Sequence, residues 1–153
     1  MSDERYLDDF TVGERFVSPG ITLSESEIIE FALRYDPQPF HLDAVAASES
    51  LYGGLIASGI QTLALTFRLF IQDGMLRSSS MGSPGIDELR WLAPVRPGDT
   101  LHTETEVLEV KPSRSKPDRG MLRLRYTTVN QHNEPVMTFI INHYLKRKAS
   151  SGV

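Results

Sequence analysis

Apolar and polar residues follow two different periods along this chain, and the change comes near residue 85. Before it, apolar residues recur at helical spacing. Residues 8–17 read as a turn feeding a short strand, closed by Ser18-Pro19-Gly20. Ile28, Ile29, Phe31, Ala32 and Tyr35 then form an apolar stripe. Ser24 stands three residues before Glu27, the spacing at which each side chain can satisfy a free backbone N–H of the other at a helix start. Pro37 stops this helix. A short alanine-rich helical turn is expected over 44–50, and Tyr52-Gly53-Gly54 breaks the chain after it. The segment 56–72 reads as the longest helix. Ile60, Leu63, Ala64, Phe67, Leu69, Phe70 and Ile71 cannot share one face, so burial on most faces is expected. Asp73-Gly74 is its stop signal, and the serine-rich stretch 75–85 reads as a flexible loop.

Beyond that point the period shortens to two. Ile86, Leu89 and Trp91 mark one strand within 85–93, and 101–110 alternates Thr and Glu with apolar residues. In 121–130, Leu122, Leu124 and Tyr126 fall on one face and Arg123 and Arg125 on the other. The segment 136–146 is rich in β-branched and aromatic residues. Arg96-Pro97-Gly98-Asp99 and Gln131-His132-Asn133-Glu134 read as tight turns between antiparallel neighbours, and 111–120 as a longer hairpin loop. One long helix with an antiparallel sheet is an α+β layer structure. A curved sheet wrapped around one central helix is the hot-dog arrangement, expected here as a single domain over 1–153.

Composition changes this picture little. A chain of 153 residues suits one domain with a real core. The net charge of -4 gives no reason to expect nucleic acid or an anionic membrane as partner. There is no cysteine, which excludes disulfides, thiolate catalysis and thiolate metal sites. The polar start of the chain has no signal-peptide core, and the longest apolar run, 63–71, is too short to span a bilayer, so a cytoplasmic protein is expected.

The candidate chemistry lies between the two longer helical patterns. Asp36 and His41 sit five residues apart in Asp36-Pro37-Gln38-Pro39-Phe40-His41-Leu42-Asp43. Pro37 removes a donor and Pro39 biases Gln38 away from the α region, so the pair is expected on a stiff, bent, non-helical connection. Leu51-Tyr52-Gly53-Gly54-Leu55-Ile56-Ala57-Ser58-Gly59 follows and leads into the apolar helix. A helix start offers unpaired N–H groups to developing negative charge. An acid/base pair beside such donors suits the addition or removal of water next to a carbonyl. No histidine or cysteine spacing supports a metal site, and Asp43 is placed to cap the short helix after it.

These residues resemble the MaoC-like dehydratases, the (R)-specific enoyl-CoA hydratases of hot-dog fold. That family's pattern is Asp-x-Asn-Pro-x-His-x-Asp, followed about ten to fifteen residues later by a glycine-rich, Ile-Ala-x-Gly-like helix start. Leu92-Ala93-Pro94-Val95-Arg96-Pro97-Gly98-Asp99 is similar to the element the family places after its central helix, and the resemblance covers roughly 10–144. It implies that Asp36 and His41 hold one water, which gives OH to Cβ and H to Cα of a trans-2-enoyl thioester. Asp36 is the expected proton acceptor, its proton affinity raised by partial desolvation. His41 would orient the water and share proton delivery, and the Gly59 N–H would meet the thioester oxygen. Coenzyme A enters only as part of the acyl-CoA substrate, with no separate cofactor. A homodimer or assembly of dimers is implied.

Two departures stand out. Gln38 replaces the usual Asn, and Ser58 stands before Gly59 where many members have His. Gln38 is placed with the substrate-binding residues, chiefly as a brace for the loop. Arg114, Lys116 and Arg119 are expected to meet the coenzyme A phosphates. Tyr35, Tyr52, Phe67, Phe70, Met75 and Trp91 are expected mostly in the core, with room for one or two of them to line an acyl tunnel. Competing functions are an acyl-CoA thioesterase of the same fold and a non-catalytic acyl-thioester-binding protein. The partnered histidine argues against both.

Overall fold

The capping box expected at Ser24 is formed. Glu27 N–H donates to Ser24 Oγ at 3.1 Å, and Ser24 N–H donates to the Glu27 carboxylate at 3.0 Å. It starts α1, Glu25–Tyr35, in the computed structural model, which describes residues 3–148. The next stretch departs from the expected non-helical connection. Gln38 is extended, as the following proline requires, but Pro39–Leu42 closes a single helical turn, α2. Proline at the first helical position costs nothing, because that N–H would lack a partner anyway. Asp43 caps α3, Ala44–Ser48, by accepting from the N–H groups of Val45 and Ala46. The long helix, α4, is Gly59–Ile71. Ile56 and Ala57 lie ahead of it, tied to Phe40 and Val95 by backbone bonds of 3.1 and 2.8 Å.

The strands are β1, Arg15–Val17; β2, Ile21–Thr22; β3, Ile86–Trp91; β4, Thr100–Pro112; β5, Arg119–Val129; and β6, Pro135–Lys146. Their order is β1-β4-β5-β6-β3, with β2 beside the start of β4. All the pairings are antiparallel. The 131–134 turn does join neighbours, β5 and β6, with Asn133 at φ 63°. The Arg96–Asp99 turn does not. It leads from β3, which pairs with β6, across to β4 on the other side of the sheet. The sheet is open and curls around α4 in the hot-dog arrangement.

The inward face of the sheet carries Val107, Leu122, Leu124, Tyr126, Met137, Phe139 and Leu145, all closed to solvent. Phe70, Met75 and Leu76 pack against them from the helix end. The serine-rich stretch is therefore no loose loop: Met75, Leu76 and Ser79 are buried, and Ser80 bridges to Leu145.

The helix meets the sequence expectation only in part: Leu69 and Phe70 are buried, but not all the apolar residues are. Its polar residues Gln61, Thr62 and Thr66 face inward, while Ile60 is 50% exposed and Ala64 and Ile71 are also open. Threonine is short enough to let helix and sheet approach, and its hydroxyls are satisfied. Thr66 Oγ1 donates to the Thr62 carbonyl at 2.7 Å and so accepts from Thr128 Oγ1 at 2.5 Å. Thr103 Oγ1 donates to the Thr66 carbonyl at 2.8 Å. Part of what was read as buried is an apolar stripe left open to solvent, at Ile60, Ala64 and Ile71. Among the described residues no helix is long and apolar enough to cross a membrane.

Tyr126 stacks on Phe139 at 4.6 Å, and its hydroxyl meets His143 Nε2 at 2.5 Å. Burial keeps the Tyr126 phenol well above its usual range and holds His143 down at about 4. In the unfolded chain His143 titrates near 6.5, so between those values only the unfolded chain takes up this proton. Stability is therefore expected to fall as pH drops from about 6.5 to about 4, by up to about 3 kcal/mol. Denaturant midpoints across that window should slope for the natural protein and flatten in His143→Gln. Equal slopes would assign the acid sensitivity elsewhere.

Candidate active site

Asp36 follows the last turn of α1 and caps it, with φ -154° and ψ 68°. The single turn of α2 then carries His41 back beneath it, so that His41 Nε2 lies 3.2 Å from Asp36 Oδ2. Both side chains are shielded, at 18% exposure for Asp36 and 5% for His41. His41 Nδ1 lies 2.7 Å from the Ile56 carbonyl oxygen. A carbonyl only accepts, so Nδ1 carries a proton. The contact between Nε2 and the carboxylate then needs one further proton, held between the two groups.

Two more donors reach Asp36. Ser58 Oγ donates to Oδ2 at 2.6 Å, and Gln38 Nε2 donates to Oδ1 at 2.7 Å. Ser58 is fully buried and also caps α4, accepting from Ile60 N–H at 3.2 Å. Burial pushes the Asp36 carboxyl up, but the bonds from Ser58 and Gln38 and the facing imidazole outweigh it, holding it below the usual carboxylate range. This corrects the expectation of raised proton affinity, because desolvation was anticipated without the donors that replace the water.

The pair opens on a cavity of about 650 Å³. Its wall includes Phe40, Ile56, Ile60, Val95 and Val136, and Tyr35 and Trp91 stand at its rim with 64% and 51% of their surface exposed. These two members of the aromatic set line the cavity instead of the core. Gly59, the first residue of α4, also lines the cavity, and its N–H has no acceptor among the described residues. A side chain there would collide with the Trp91 indole, so glycine is required for packing as well. Behind the wall, Arg96 donates to the carbonyls of Gly54 and Tyr52 and fixes the glycine-containing loop.

Of the residues picked out in the sequence, the structure brings Asp36, Gln38, His41 and Gly59 together. It does not bring in Arg114, Lys116 and Arg119. Arg114 and Lys116 lie in the β4–β5 connection, and Arg119, the first residue of β5, pairs with its neighbour Asp118 at 2.9 Å. Arg119 is opposite Lys146 at one end of β6, whereas Val136, in the cavity wall, is at the other end. At about 3.3 Å per residue the separation is roughly 33 Å. The reason is topological: β4 and β5 carry their hairpin away from the α4 start. Ser58 and Arg96 were missed as site residues. Ser58 drew notice only as a departure from a pattern, and its partner lies 22 residues away.

Ser58→Ala is expected to destabilise the fold by about 2 kcal/mol through loss of the cap and the carboxylate bond. It should also move Asp36 titration to higher pH, since one group that favours the ionised form is gone. A carboxyl titration followed by NMR checks this, and an unmoved Asp36 would reduce Ser58 to a helix cap.

Comparison with known proteins agrees with this architecture. The family model described as MaoC like domain matches residues 9–130. The chain is 36% identical over 141 residues to YdeM of Bacillus subtilis, covering 92% of this chain and 99% of that one. Over 62 residues it is 36% identical to the mesaconyl-CoA hydratase of Cereibacter sphaeroides, covering 40% of this chain and 18% of that protein. The crystal structure of the MaoC-like dehydratase from Rhodospirillum rubrum superposes with a TM-score of 0.88 at 41% identity, covering 95% of this chain and 99% of the other. The family model spans the stretch that holds Asp36, His41, Ser58 and Gly59 on their two helix ends. With a match of that extent, the chain belongs to the MaoC-like dehydratase family.

Proposed function

We propose that this protein is a hydro-lyase that adds water to a trans-2-enoyl-CoA to give an (R)-3-hydroxyacyl-CoA, or runs the reverse dehydration. The observation that carries the reading is the 3.2 Å contact between His41 Nε2 and Asp36 Oδ2 at the wall of an apolar cavity. In the hydration direction Asp36 accepts a proton from the bound water as its oxygen bonds to Cβ. The π electrons move towards the thioester oxygen, which takes a hydrogen bond from Gly59 N–H. Cα then receives the proton from His41 Nε2, and the proton on Asp36 passes back to His41, restoring the pair. The donors on Asp36 suit this role. They keep it ionised and ready to accept at neutral pH, at the cost of some basicity.

The cavity also speaks to the acyl group. Its lining includes Asp36 and His41 and no Lys or Arg. The nearby Arg96 guanidinium is engaged by backbone carbonyls. A second carboxylate on the acyl chain would lose its water there without gaining a counter-ion, and would face Asp36. An uncharged acyl group fits, in contrast to the dicarboxylic acyl group in the name of the mesaconyl-CoA relative. The uncovered stripe of α4 and the open edge of β3 support a homodimer. Carriage of the substrate by coenzyme A is part of the same proposal. The hairpin cations Arg114, Lys116 and Arg119 would serve it only across a subunit boundary.

Asp36→Asn and His41→Gln should each lower hydration of crotonyl-CoA by about 10²- to 10⁴-fold with the fold intact. Near-normal turnover in Asp36→Asn would sink the mechanism, and free thiol release in place of hydration would make the protein a thioesterase. Fumaryl-CoA, which has a carboxylate where crotonyl-CoA has its methyl group, should show kcat/KM lower than crotonyl-CoA by about 100-fold or more. Light scattering at micromolar concentration should give twice the chain mass or a multiple of it, and a monomer mass would count against the dimer.

A further inference from the structure

The first turn of α4 has a second hydrogen-bond donor beside it. Trp91 is the last residue of β3, and its backbone is fixed by pairing with Met137 and by the following Leu92 N–H, bonded to the Val136 carbonyl at 2.8 Å. Its indole lies on Gly59. A Cβ built on Gly59 would come within 3.0 Å of indole Nε1, Cε2 and Cζ2. A Cβ sits about 2.5 Å from its own backbone nitrogen, so Trp91 Nε1 and Gly59 N are at most about 5 Å apart. Two donors about 5 Å apart can share one acceptor oxygen with bonds of about 2.9 Å along its lone-pair directions, roughly 120° apart. Neither N–H has an acceptor among the described residues, and both residues line the cavity that holds Asp36 and His41.

We infer that Trp91 Nε1–H is a second oxyanion donor, which with Gly59 N–H holds the thioester oxygen as it becomes enolate-like. This rests on the hydro-lyase reading above and adds a catalytic residue to it. It gives a reason for an indole, and not merely an aromatic ring, at a rim position where half the side chain is exposed. No bond forms or breaks at Trp91. It donates one hydrogen bond that is already made, weakly, to the ground-state thioester oxygen and strengthens as negative charge moves from the double bond onto it, so its contribution falls mainly on the chemical step.

The test compares natural protein, Trp91→Phe and Trp91→His with crotonyl-CoA. Phenylalanine keeps a ring on Gly59 but has no donor. The expected result is a fall in kcat of about 100-fold with KM changed by less than about threefold, the pattern of a lost transition-state bond. Histidine, which restores an N–H, should recover part of kcat. A packing residue would instead change KM or stability and show no rescue by histidine. Because this is the only tryptophan in the chain, the natural protein also gives one indole N–H signal. Unreactive butyryl-CoA should move that signal downfield, a readout that does not depend on any variant folding. Turnover in Trp91→Phe equal to the natural protein, or an indole signal unmoved by saturating butyryl-CoA, overturns the proposal while leaving the hydro-lyase reading in place. Absence of hydration by the natural protein overturns both.

Discussion

A carboxylate shielded from water stays ionised only if fixed donors replace the water it has lost. That requirement organises this molecule. Asp36 sits at the carbonyl end of α1, where the helix dipole disfavours an anion, and its charge is held by groups from elsewhere in the chain. Gln38 and His41 reach it from the next turn, and Ser58 reaches it from the start of α4. The last bond matters most to the architecture. Ser58 accepts from the helix it caps and donates to the carboxylate, so one buried hydroxyl joins the ends of two helices. The placing of the Gly59 N–H depends on that joint, because Gly59 is the next residue.

The sequence shows the acid, the imidazole and the glycine, because each is announced by local chemistry. A proline follows each of Asp36 and Gln38, and glycine spacing marks the start of α4. The antiparallel strands were legible from alternation, since one face must be dry. What was not legible depends on pairs distant in sequence. The partner of Ser58, the sheet position of β3 and the far location of Arg114, Lys116 and Arg119 all follow from strand order, which periodicity does not encode. The helical turn at Pro39–Leu42 was hidden for another reason. Proline there was read as a breaker, when at the first position of a turn it is an initiator.

The central helix shows how apolar character in a sequence can mislead about direction. Counting apolar residues around α4 suggested a helix enclosed by its own subunit. The sheet instead meets the threonine side, with every hydroxyl of the Thr66–Thr128–Thr103 set bonded. The leucine and phenylalanine side is shared between the core and a groove floored by Phe139 and Ile141. On the proposed dimer, the excess of apolar residues is what a helix needs to serve two surfaces, one within its own chain and one towards the second copy.

Ile60 belongs to both the cavity that holds Asp36 and His41 and that outer groove, and it follows Gly59 directly in the chain. The turn that presents the backbone donor is thus also the turn that meets any neighbour seated on the groove. On the proposed dimer, assembly would restrain Ile60 and through it the orientation of the Gly59 amide. Mass action then enters the chemistry. Specific activity would depend on protein concentration, declining on dilution as protomers separate, at concentrations where the fold of each protomer is still whole.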